Sequence, residues 1–198
     1  MIRHGETEYN KRGIIQGSGI NSDLNDNGRH QARLFYMAYK HIPFDKIYIS
    51  ELNRTYQSVA PFIEDKFVYE KLGGLNEINW GIMEGAIPNG LNQLHYHQMI
   101  EDWKAGYLDK AIENGETPMQ MFTRQKLALE KIMAAENENT ILVCMHGRAI
   151  RSFLCLLLNR PLSKMEEFYH TNLCLYVLEH QGNGKFEITI ENSTEHLW

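Results

Sequence analysis

The 198-residue chain has little cysteine, no long apolar run and no excess of positive charge. Its three cysteines, Cys144, Cys155 and Cys174, form no CxxC pair, which indicates buried thiols in a reducing cytosol rather than a zinc or redox site. No apolar run reaches transmembrane length, and no signal peptide precedes the first motif. A net charge of -5 is a poor fit to general nucleic-acid binding. We therefore expect a cytoplasmic globular protein that binds neither nucleic acid nor membranes.

Repeats, low-complexity runs and Pro/Ser-rich linkers are also absent, so we expect residues 1–198 to form a single domain. Strand-like runs such as "IYIS" (47–50) and "TILVCM" (140–145) alternate with helical segments, and two strands flank the turn "HQGNGK" near the C-terminus. This alternation predicts an α/β fold: a three-layer sandwich with a mostly parallel central sheet, helices on both faces and an antiparallel edge hairpin.

Three segments predict helices. The first runs from Asn25 to about Tyr39, and the third runs from Gly147 to Leu158. The second begins after Thr117, a suitable N-cap, with Pro118 in the first position and Gln120 completing a capping box. Three apolar residues of this second helix share the face that we expect to be buried: Phe122, Leu129 and Met133.

Polar side chains follow four of the apolar segments. Arg3 and His4 follow the first, Arg54 follows "IYIS", Glu77 follows the stretch around residue 72, and His146 follows "TILVCM". In open α/β sheets, ligands bind at the carboxyl ends of the strands. We therefore expect two histidines, two arginines and a glutamate to meet in one place.

This set of side chains suits a phosphate dianion. Two guanidinium groups can neutralise its oxygens, and a neutral imidazole can attack phosphorus. A carboxylic acid can protonate the leaving alcohol and then help to deprotonate the attacking water. Gly147, at the start of a predicted helix, would let backbone amides and the positive helix end approach the phosphate.

The motifs resemble those of the histidine phosphatase superfamily, the phosphoglycerate mutase-like family. "RHGET" at Arg3–Thr7 looks like its signature, and "SELNRTYQSV", "LNEINWGIMEG" and "VCMHGRAIRSFL" resemble its later motifs in the same order. The matches extend over nearly the whole chain. A lone RHG would be a weak signal, whereas an ordered series is specific.

The resemblance implies roles for individual residues. His4 is expected to become phosphorylated, and Glu77 is expected to be the proton donor, with Glu84 as the second choice. Gln16 lies in a loop segment that also matches the family. The residues expected at the phosphoryl group are Arg3, Arg54, Asn10, His146 and the helix-terminal Gly147. The family needs no metal, and we expect no cofactor.

Both a phosphatase and a mutase of this family use a phosphohistidine. Mutases carry longer segments over the site, and here the stretch from Glu77 to His146 and the C-terminal tail are both short. We therefore favour a phosphomonoesterase acting on a small phosphorylated metabolite, similar to the branch that includes α-ribazole phosphatase. A cofactor-dependent phosphoglycerate mutase is the alternative, and an inactive phosphate-binding module ranks below it.

Residues 82–115 are the expected cap over the site, and they contain the "HYH" triplet at 95–97. We expect this triplet to be solvated or to face the substrate rather than to bind a metal. Arg148 and Arg151 could add to a cationic rim of the site, but we expect them on a solvated helix face. Glu116 is predicted in the first turn of its helix. The sequence leaves the substrate and the oligomeric state open. A homodimer that pairs through the C-terminal hairpin is one option.

The first strand poses a further question because only Met1 and Ile2 precede the RHG motif. A family member would be expected to carry a full strand there. We therefore expect either native residues upstream of Met1 or an unusually short first strand that ends at His4.

Overall fold

The computed structural model describes residues 1–198 and contains six strands. They are β1 (Ile2–Arg3), β2 (Lys46–Ile49), β3 (Tyr69–Lys71), β4 (Ile141–Met145), β5 (Leu175–His180) and β6 (Phe186–Ser193). They form one sheet in the order β3-β2-β4-β1-β5-β6. The first four pair in parallel, and β5 runs antiparallel to both β1 and β6. The predicted parallel sheet with an antiparallel edge hairpin is confirmed.

Six α-helices surround the sheet. They are α1 (Glu8–Lys11), α2 (Asp26–Tyr39), α3 (Asn53–Glu64), α4 (Gly90–Lys104), α5 (Pro118–Met133) and α6 (Gly147–Leu157). Short 3-10 turns occupy Gly73–Leu75, Gly81–Met83, Leu162–Glu167 and Glu195–Leu197. The three helices predicted from the sequence correspond to α2, α5 and α6.

The two faces of the sheet carry separate hydrophobic cores, because successive residues of a strand point to opposite sides. Leu142 of β4 packs in one core with Phe35 of α2 and Phe62 of α3. Its neighbour Val143 packs in the larger core on the other face, with Met121 of α5 and much of α6. Helices therefore cover both faces, and the predicted three-layer sandwich is confirmed.

Helix α5 begins at the residue predicted from the sequence. The Thr117 hydroxyl accepts the N–H of Gln120, the Gln120 side chain accepts the N–H of Thr117, and Pro118 is the first helical residue. This capping box satisfies two amides that the helix itself leaves without partners.

The buried face of α5 is centred one position before the predicted one. Its buried residues are Pro118, Met121, Gln125, Ala128 and Ile132. Phe122 and Leu129 are partly buried against the same core, whereas Met133 is exposed. Gln125 explains the error, since a buried glutamine breaks the apolar pattern. Its amide donates to the Ala149 carbonyl at 2.8 Å and accepts the Ser152 hydroxyl at 2.7 Å, so its polar atoms are satisfied inside the core.

The first strand spans two residues of this sequence, Ile2–Arg3, and it lies inside the sheet. Ile2 pairs with Cys144 of β4 on one side and with Leu175 of β5 on the other, and it is fully buried. The next backbone amide, that of His4, donates to the Met145 carbonyl at 3.0 Å. His4 therefore leaves the carboxyl edge of the sheet beside the end of β4.

None of the helices has the length and apolar character needed to cross a membrane.

Candidate active site

A cavity of about 150 Å³ lies at the carboxyl edge of the sheet, above the ends of β1 and β4. Five segments contribute residues to its wall: the first loop, the loop after β3, α4, the start of α6 and the loop before β5. These residues are Arg3, His4, Asn10, Ile14, Ile15, Gln16, Glu77, Trp80, Tyr96, Gly147, Arg148 and His170. Six of the nine residues predicted for the site are among them: Arg3, His4, Asn10, Gln16, Glu77 and Gly147.

The imidazole of His4 is held in one neutral tautomer. Its Nδ1 lies 2.7 Å from the carbonyl oxygen of Gly5, and because that oxygen can only accept, Nδ1 carries the proton. Burial, with the positive charges of Arg54 and Arg3, holds the pKa of His4 well below its ordinary value. Its Nε2 is consequently an unprotonated nitrogen without a partner, on a ring that lines the cavity.

Arg54 and His146 lie behind His4 rather than in the cavity wall. The Nε of Arg54 donates to Nδ1 of His146 at 3.1 Å, and the two terminal nitrogens donate to the carbonyls of Ile20 and Gly17. The His146 ring lies 5.1 Å from the His4 ring, measured between centroids. Burial lowers the pKa of Arg54 to about 10, so it remains a cation at neutral pH.

A chain of hydroxyl groups fixes the tautomer of His146. Because Nδ1 accepts from Arg54, Nε2 carries the proton and donates to the Ser50 hydroxyl at 2.8 Å. Ser50 and the Thr55 hydroxyl are 2.9 Å apart, and Thr55 donates to the Leu52 carbonyl at 2.8 Å. Both ring nitrogens of His146 thus have protein partners, and burial with the charge of Arg54 holds its pKa well below the ordinary value.

Glu77 caps helix α6. Its Oε2 accepts the N–H of Arg148 at 3.0 Å, and its Oε1 accepts the N–H groups of Ala149 at 2.9 Å and of Ile78 at 3.0 Å. The carboxyl group therefore stands at the positive end of α6. Oε2 has a single donor, so it is the oxygen with room to hold a proton or to meet a substrate.

Asn10 reaches the cavity through a network of amides. Its Oδ1 accepts from the Thr7 amide at 3.2 Å and from Nδ2 of Asn172 at 3.1 Å. The same Asn172 nitrogen donates to the carbonyl of His4 at 3.0 Å. With its oxygen engaged, Asn10 offers its own Nδ2 hydrogens to the cavity.

Gln16 lines the cavity, but its side chain is engaged in the wall. It donates to the Thr7 hydroxyl at 2.7 Å and accepts the Ser22 hydroxyl at 2.6 Å. Glu84, the second choice for proton donor, does not line the cavity. Its Oε1 accepts the amides of Trp80 at 3.0 Å and Gly19 at 3.3 Å, so this carboxylate ties two loops together.

The sequence did not indicate His170, in the loop before β5. Its Nδ1 lies 3.2 Å from a terminal nitrogen of Arg3, and its ring covers Gly147 so closely that a Cβ at that position would lie 2.6 Å from the ring carbon Cε1. Burial, with the charge of Arg3, lowers the pKa of His170 to about 2. A histidine in a short loop carries no signal that would have identified it.

The solvated positions predicted for Arg148 and Arg151 were wrong. Both guanidinium groups form ion pairs with the carboxylate of Glu166, and Arg148 is only 6% exposed. The Arg148 guanidinium lies 5.7 Å from the ring centres of both Trp80 and Trp103. The partner carboxylate comes from the 3-10 turn after α6, a contact that depends on tertiary folding.

The position predicted for Glu116 was also wrong. It precedes the N-cap of α5 and forms an ion pair with Arg124, whose Nε lies 2.7 Å from Glu116 Oε1. The pair borders an open polar groove of about 460 Å³, which Glu77 also lines. Because Glu116 already pairs with Arg124 and Glu77 adds a second carboxylate, this groove offers less to an anion than the smaller cavity does.

Within residues 82–115, Tyr96 is the one side chain that lines the cavity, where its hydroxyl accepts from Arg148 at 2.9 Å. His95 and His97 on either side of it are exposed, and Trp103 packs in the core against Trp80. The structure has no cluster of three or more histidine, cysteine, aspartate or glutamate side chains that could hold a metal ion.

Comparison with known proteins decides the family. The family model of the histidine phosphatase superfamily (branch 1) matches residues 1–193. The chain belongs to this superfamily.

Several relatives in the superfamily carry phosphatase names, and one, from Serratia proteamaculans, is named a probable phosphoglycerate mutase. Phosphoserine phosphatase 1 of Hydrogenobacter thermophilus is 28% identical over 198 residues, which cover 100% of this chain and 92% of that protein. Adenosylcobalamin/alpha-ribazole phosphatase of Salmonella typhimurium is 27% identical over 85% of this chain and 83% of its own length. These similarities place the chain among enzymes, and they agree with the resemblance seen in the sequence.

The fold of the superfamily extends over almost the entire chain. The alpha-ribazole phosphatase of Shigella flexneri aligns with a TM-score of 0.83 at 21% identity, over 97% of this chain and 94% of that one. The mycobacterial glucosyl-3-phosphoglycerate phosphatase, solved with VO3, aligns with a TM-score of 0.86 at 21% identity, over 98% of each chain. These structural neighbours confirm the phosphoglycerate mutase-like fold.

Proposed function

We propose that this histidine phosphatase superfamily member is a phosphomonoesterase that hydrolyses a small phosphorylated metabolite through a phosphohistidine on His4. The observation that carries the proposal is the 2.7 Å contact between Nδ1 of His4 and the Gly5 carbonyl. It leaves Nε2 as a free base on a ring that lines the cavity with Arg3, Glu77 and Gly147. The phosphatase names of the relatives support the same reaction class.

In the first half of the reaction, the lone pair of His4 Nε2 forms an N–P bond while the P–O bond to the leaving alcohol breaks. Protonated Glu77 gives its proton to the leaving oxygen. The amide of Gly147 has no hydrogen-bond partner within the chain, and with Arg3 and Asn10 it would stabilise the phosphoryl oxygens.

In the second half, a water molecule attacks the phosphorus of phosphohistidine. Glu77, now a carboxylate, takes a proton from this water as the new P–O bond forms, and the N–P bond breaks. His4 regains its neutral form and inorganic phosphate leaves. Arg54 and His146 support the site from behind, since their hydrogen bonds fix the wall on which His4 rests.

The size of the cavity favours a small leaving group. Its volume of about 150 Å³ is below the range of roughly 300–1,000 Å³ typical of sites for drug-sized ligands. The apolar and aromatic part of its wall is formed by Ile14, Ile15, Trp80 and Tyr96. We propose that residues 82–115 form a cap over the site, which they reach through Tyr96. We also propose that the substrate is a compact metabolite.

A rapid-quench experiment tests the phosphohistidine. Wild-type protein mixed with a ³²P-labelled phosphomonoester should retain acid-labile label, and His4→Ala should retain none and lose hydrolysis. His41→Ala, which removes an exposed histidine, is the control and should behave as wild type. Full hydrolysis by His4→Ala, with no label on the wild type, would overturn the mechanism.

A second assay on the wild-type protein distinguishes a phosphatase from a mutase. With 3-phosphoglycerate, we expect phosphate release to exceed isomerisation in a coupled assay. Rapid isomerisation with little phosphate release would instead identify a phosphoglycerate mutase. Failure to hydrolyse p-nitrophenyl phosphate or any member of a panel of phosphorylated metabolites would leave an inactive phosphate-binding module.

We further propose a cytoplasmic location. The three cysteines, Cys144, Cys155 and Cys174, are free and buried, as expected for a protein that folds in a reducing compartment. Fractionation of cells that express a tagged full-length chain would test this.

A further inference from the structure

His170 is a partly buried polar residue of the cavity, and neither the family motifs nor the proposed mechanism supplies a role for it. It lies between the 3-10 turn Leu162–Glu167 and β5, and it lines the cavity beside Arg3 and Gly147. Its two ring nitrogens have different surroundings, and this difference indicates what the side chain can do.

Nδ1 of His170 is a hydrogen-bond acceptor. A terminal nitrogen of Arg3 lies 3.2 Å away, and a guanidinium group can only donate. The proton of the neutral ring is therefore on Nε2. Three cations surround the ring, those of Arg3, Arg151 and Arg148, and with burial they disfavour a second proton.

Nε2 of His170 is consequently an N–H donor, and it has no partner within the chain. The ring lies over the first residue of α6, in the space that a Cβ at Gly147 would need. Two other unpaired donors lie beside it, the amide of Gly147 and the buried Nε of Arg3. A group of adjacent donors without acceptors is suited to an oxyanion.

We propose that His170 is a further phosphoryl-binding residue, which orients Arg3 through Nδ1 and donates its Nε2–H to an oxygen of the bound phosphoryl group. It is a neutral donor, so it adds a hydrogen bond without adding charge. The proposal extends the proposed function to a residue of the same cavity and rests on that function only for the identity of the bound group.

Three variants of His170 separate the contributions of its two ring nitrogens. His170→Asn keeps an acceptor near the position of Nδ1, His170→Gln can place an amide donor near the position of Nε2, and His170→Ala removes both. Exposed His95 supplies the control, His95→Ala. Titration calorimetry with inorganic phosphate measures affinity without turnover, thermal unfolding reports folding, and kcat/KM for p-nitrophenyl phosphate reports activity.

We expect His170→Ala to bind phosphate at least about tenfold more weakly than wild type, as for the loss of one hydrogen bond to a charged group. His170→Gln should recover a large part of that loss, and His170→Asn should recover less. His95→Ala should bind as wild type. Orthovanadate, used as a second probe, should follow the same order of affinities.

Two results would overturn the proposal. One is phosphate binding by His170→Ala within about twofold of wild type. The other is an equal loss of affinity in all three variants that follows an equal loss of thermal stability, since this would assign the ring to packing alone. If wild type bound phosphate through His170 but hydrolysed no phosphomonoester, the proposed function would fail and this inference would stand.

Discussion

The guanidinium of Arg124 holds the backbone of Glu77 in place from the neighbouring helix α5. Its Nη2 donates to the Glu77 carbonyl at 3.1 Å, and its Nη1 donates to the carbonyls of Gly74 and Asn76, both at 2.9 Å. Glu116 binds the same guanidinium through two hydrogen bonds, at 2.7 and 2.9 Å. The position of the proposed proton donor thus depends on a salt bridge outside the cavity.

Replacing Arg124 should impair proton donation more than phosphate binding. In Arg124→Gln the loop at 73–77 loses these bonds, so Glu77 should be displaced from the leaving group. We expect kcat/KM to fall at least about tenfold for an alkyl phosphate, whose leaving alcohol needs a proton. For p-nitrophenyl phosphate, whose leaving group needs little protonation, the fall should be smaller.

The control for Arg124→Gln is Lys126→Gln, an exposed position on the same helix. Equal losses for both substrates, or a loss only in phosphate affinity, would contradict a role in positioning Glu77.

Exchanges at Glu77 and Glu84 should decide which carboxyl group is the proton donor. We expect Glu77→Gln to lower kcat for an alkyl phosphate by about 10²–10⁴-fold, the usual contribution of a general acid. Glu84→Gln should leave kcat within a few-fold and lower the thermal midpoint, because Glu84 joins the Gly19 and Trp80 backbones instead of facing the cavity. A larger loss in kcat for Glu84→Gln than for Glu77→Gln would reverse the assignment.

Removing the charge of Glu166 should destabilise the fold. This carboxylate pairs with both Arg148 and Arg151, and all three side chains are mostly buried. Glu166→Gln leaves two neighbouring guanidinium groups uncompensated, and we expect the free energy of unfolding to fall by about 2–4 kcal/mol. Chemical denaturation of the variant and the wild type measures this difference in the free energy of unfolding.

The adjacent Glu167 provides a matched control. Its ion pair with Arg160 is exposed, so Glu167→Gln should cost less than about 1 kcal/mol. Equal effects of the two exchanges would show that burial of the Glu166 cluster contributes nothing.

Stability should decline as the pH falls below about 6.5, the pKa of histidine in an unfolded chain. Burial and nearby arginines lower the pKa of His4, His146 and His170 in the folded state. Well above pH 6.5 these residues are neutral in both states. As the pH falls through 6.5 the unfolded chain binds protons that the folded chain does not, so each histidine adds a slope that approaches about 1.4 kcal/mol per pH unit well below pH 6.5.

Denaturation between pH 7.5 and 5.5 checks this slope. In His170→Gln the slope between pH 6.5 and 5.5 should be shallower by roughly 1 kcal/mol per pH unit, because one such group is absent. His95→Ala, at an exposed position, should keep the wild-type slope. Constant stability over this range would show that the buried histidines do not couple folding to pH.

Local patterns in the sequence determined much of the fold. The strand-like run at 140–145, the Thr117 capping box and the turn at 180–185 each depend on neighbouring residues, and each appears in the structure as β4, the start of α5 and the β5–β6 hairpin. Residues that follow strands were expected to meet because parallel strands place their carboxyl ends at one edge. His4, Glu77 and Gly147 line one cavity for this reason.

Tertiary structure decided the contacts between segments far apart in the chain. The sequence alone predicts a solvent-exposed Arg148, because it gives no sign that Glu166, Trp80 and Trp103 surround this side chain in the fold. His170 lies 167 residues from Arg3 in the chain, and no spacing rule relates the two. Residue types and local spacing determine which chemistry is available, whereas only the packed fold brings distant side chains together, fixes the proton-bearing nitrogen of each buried histidine and decides which charges are neutralised.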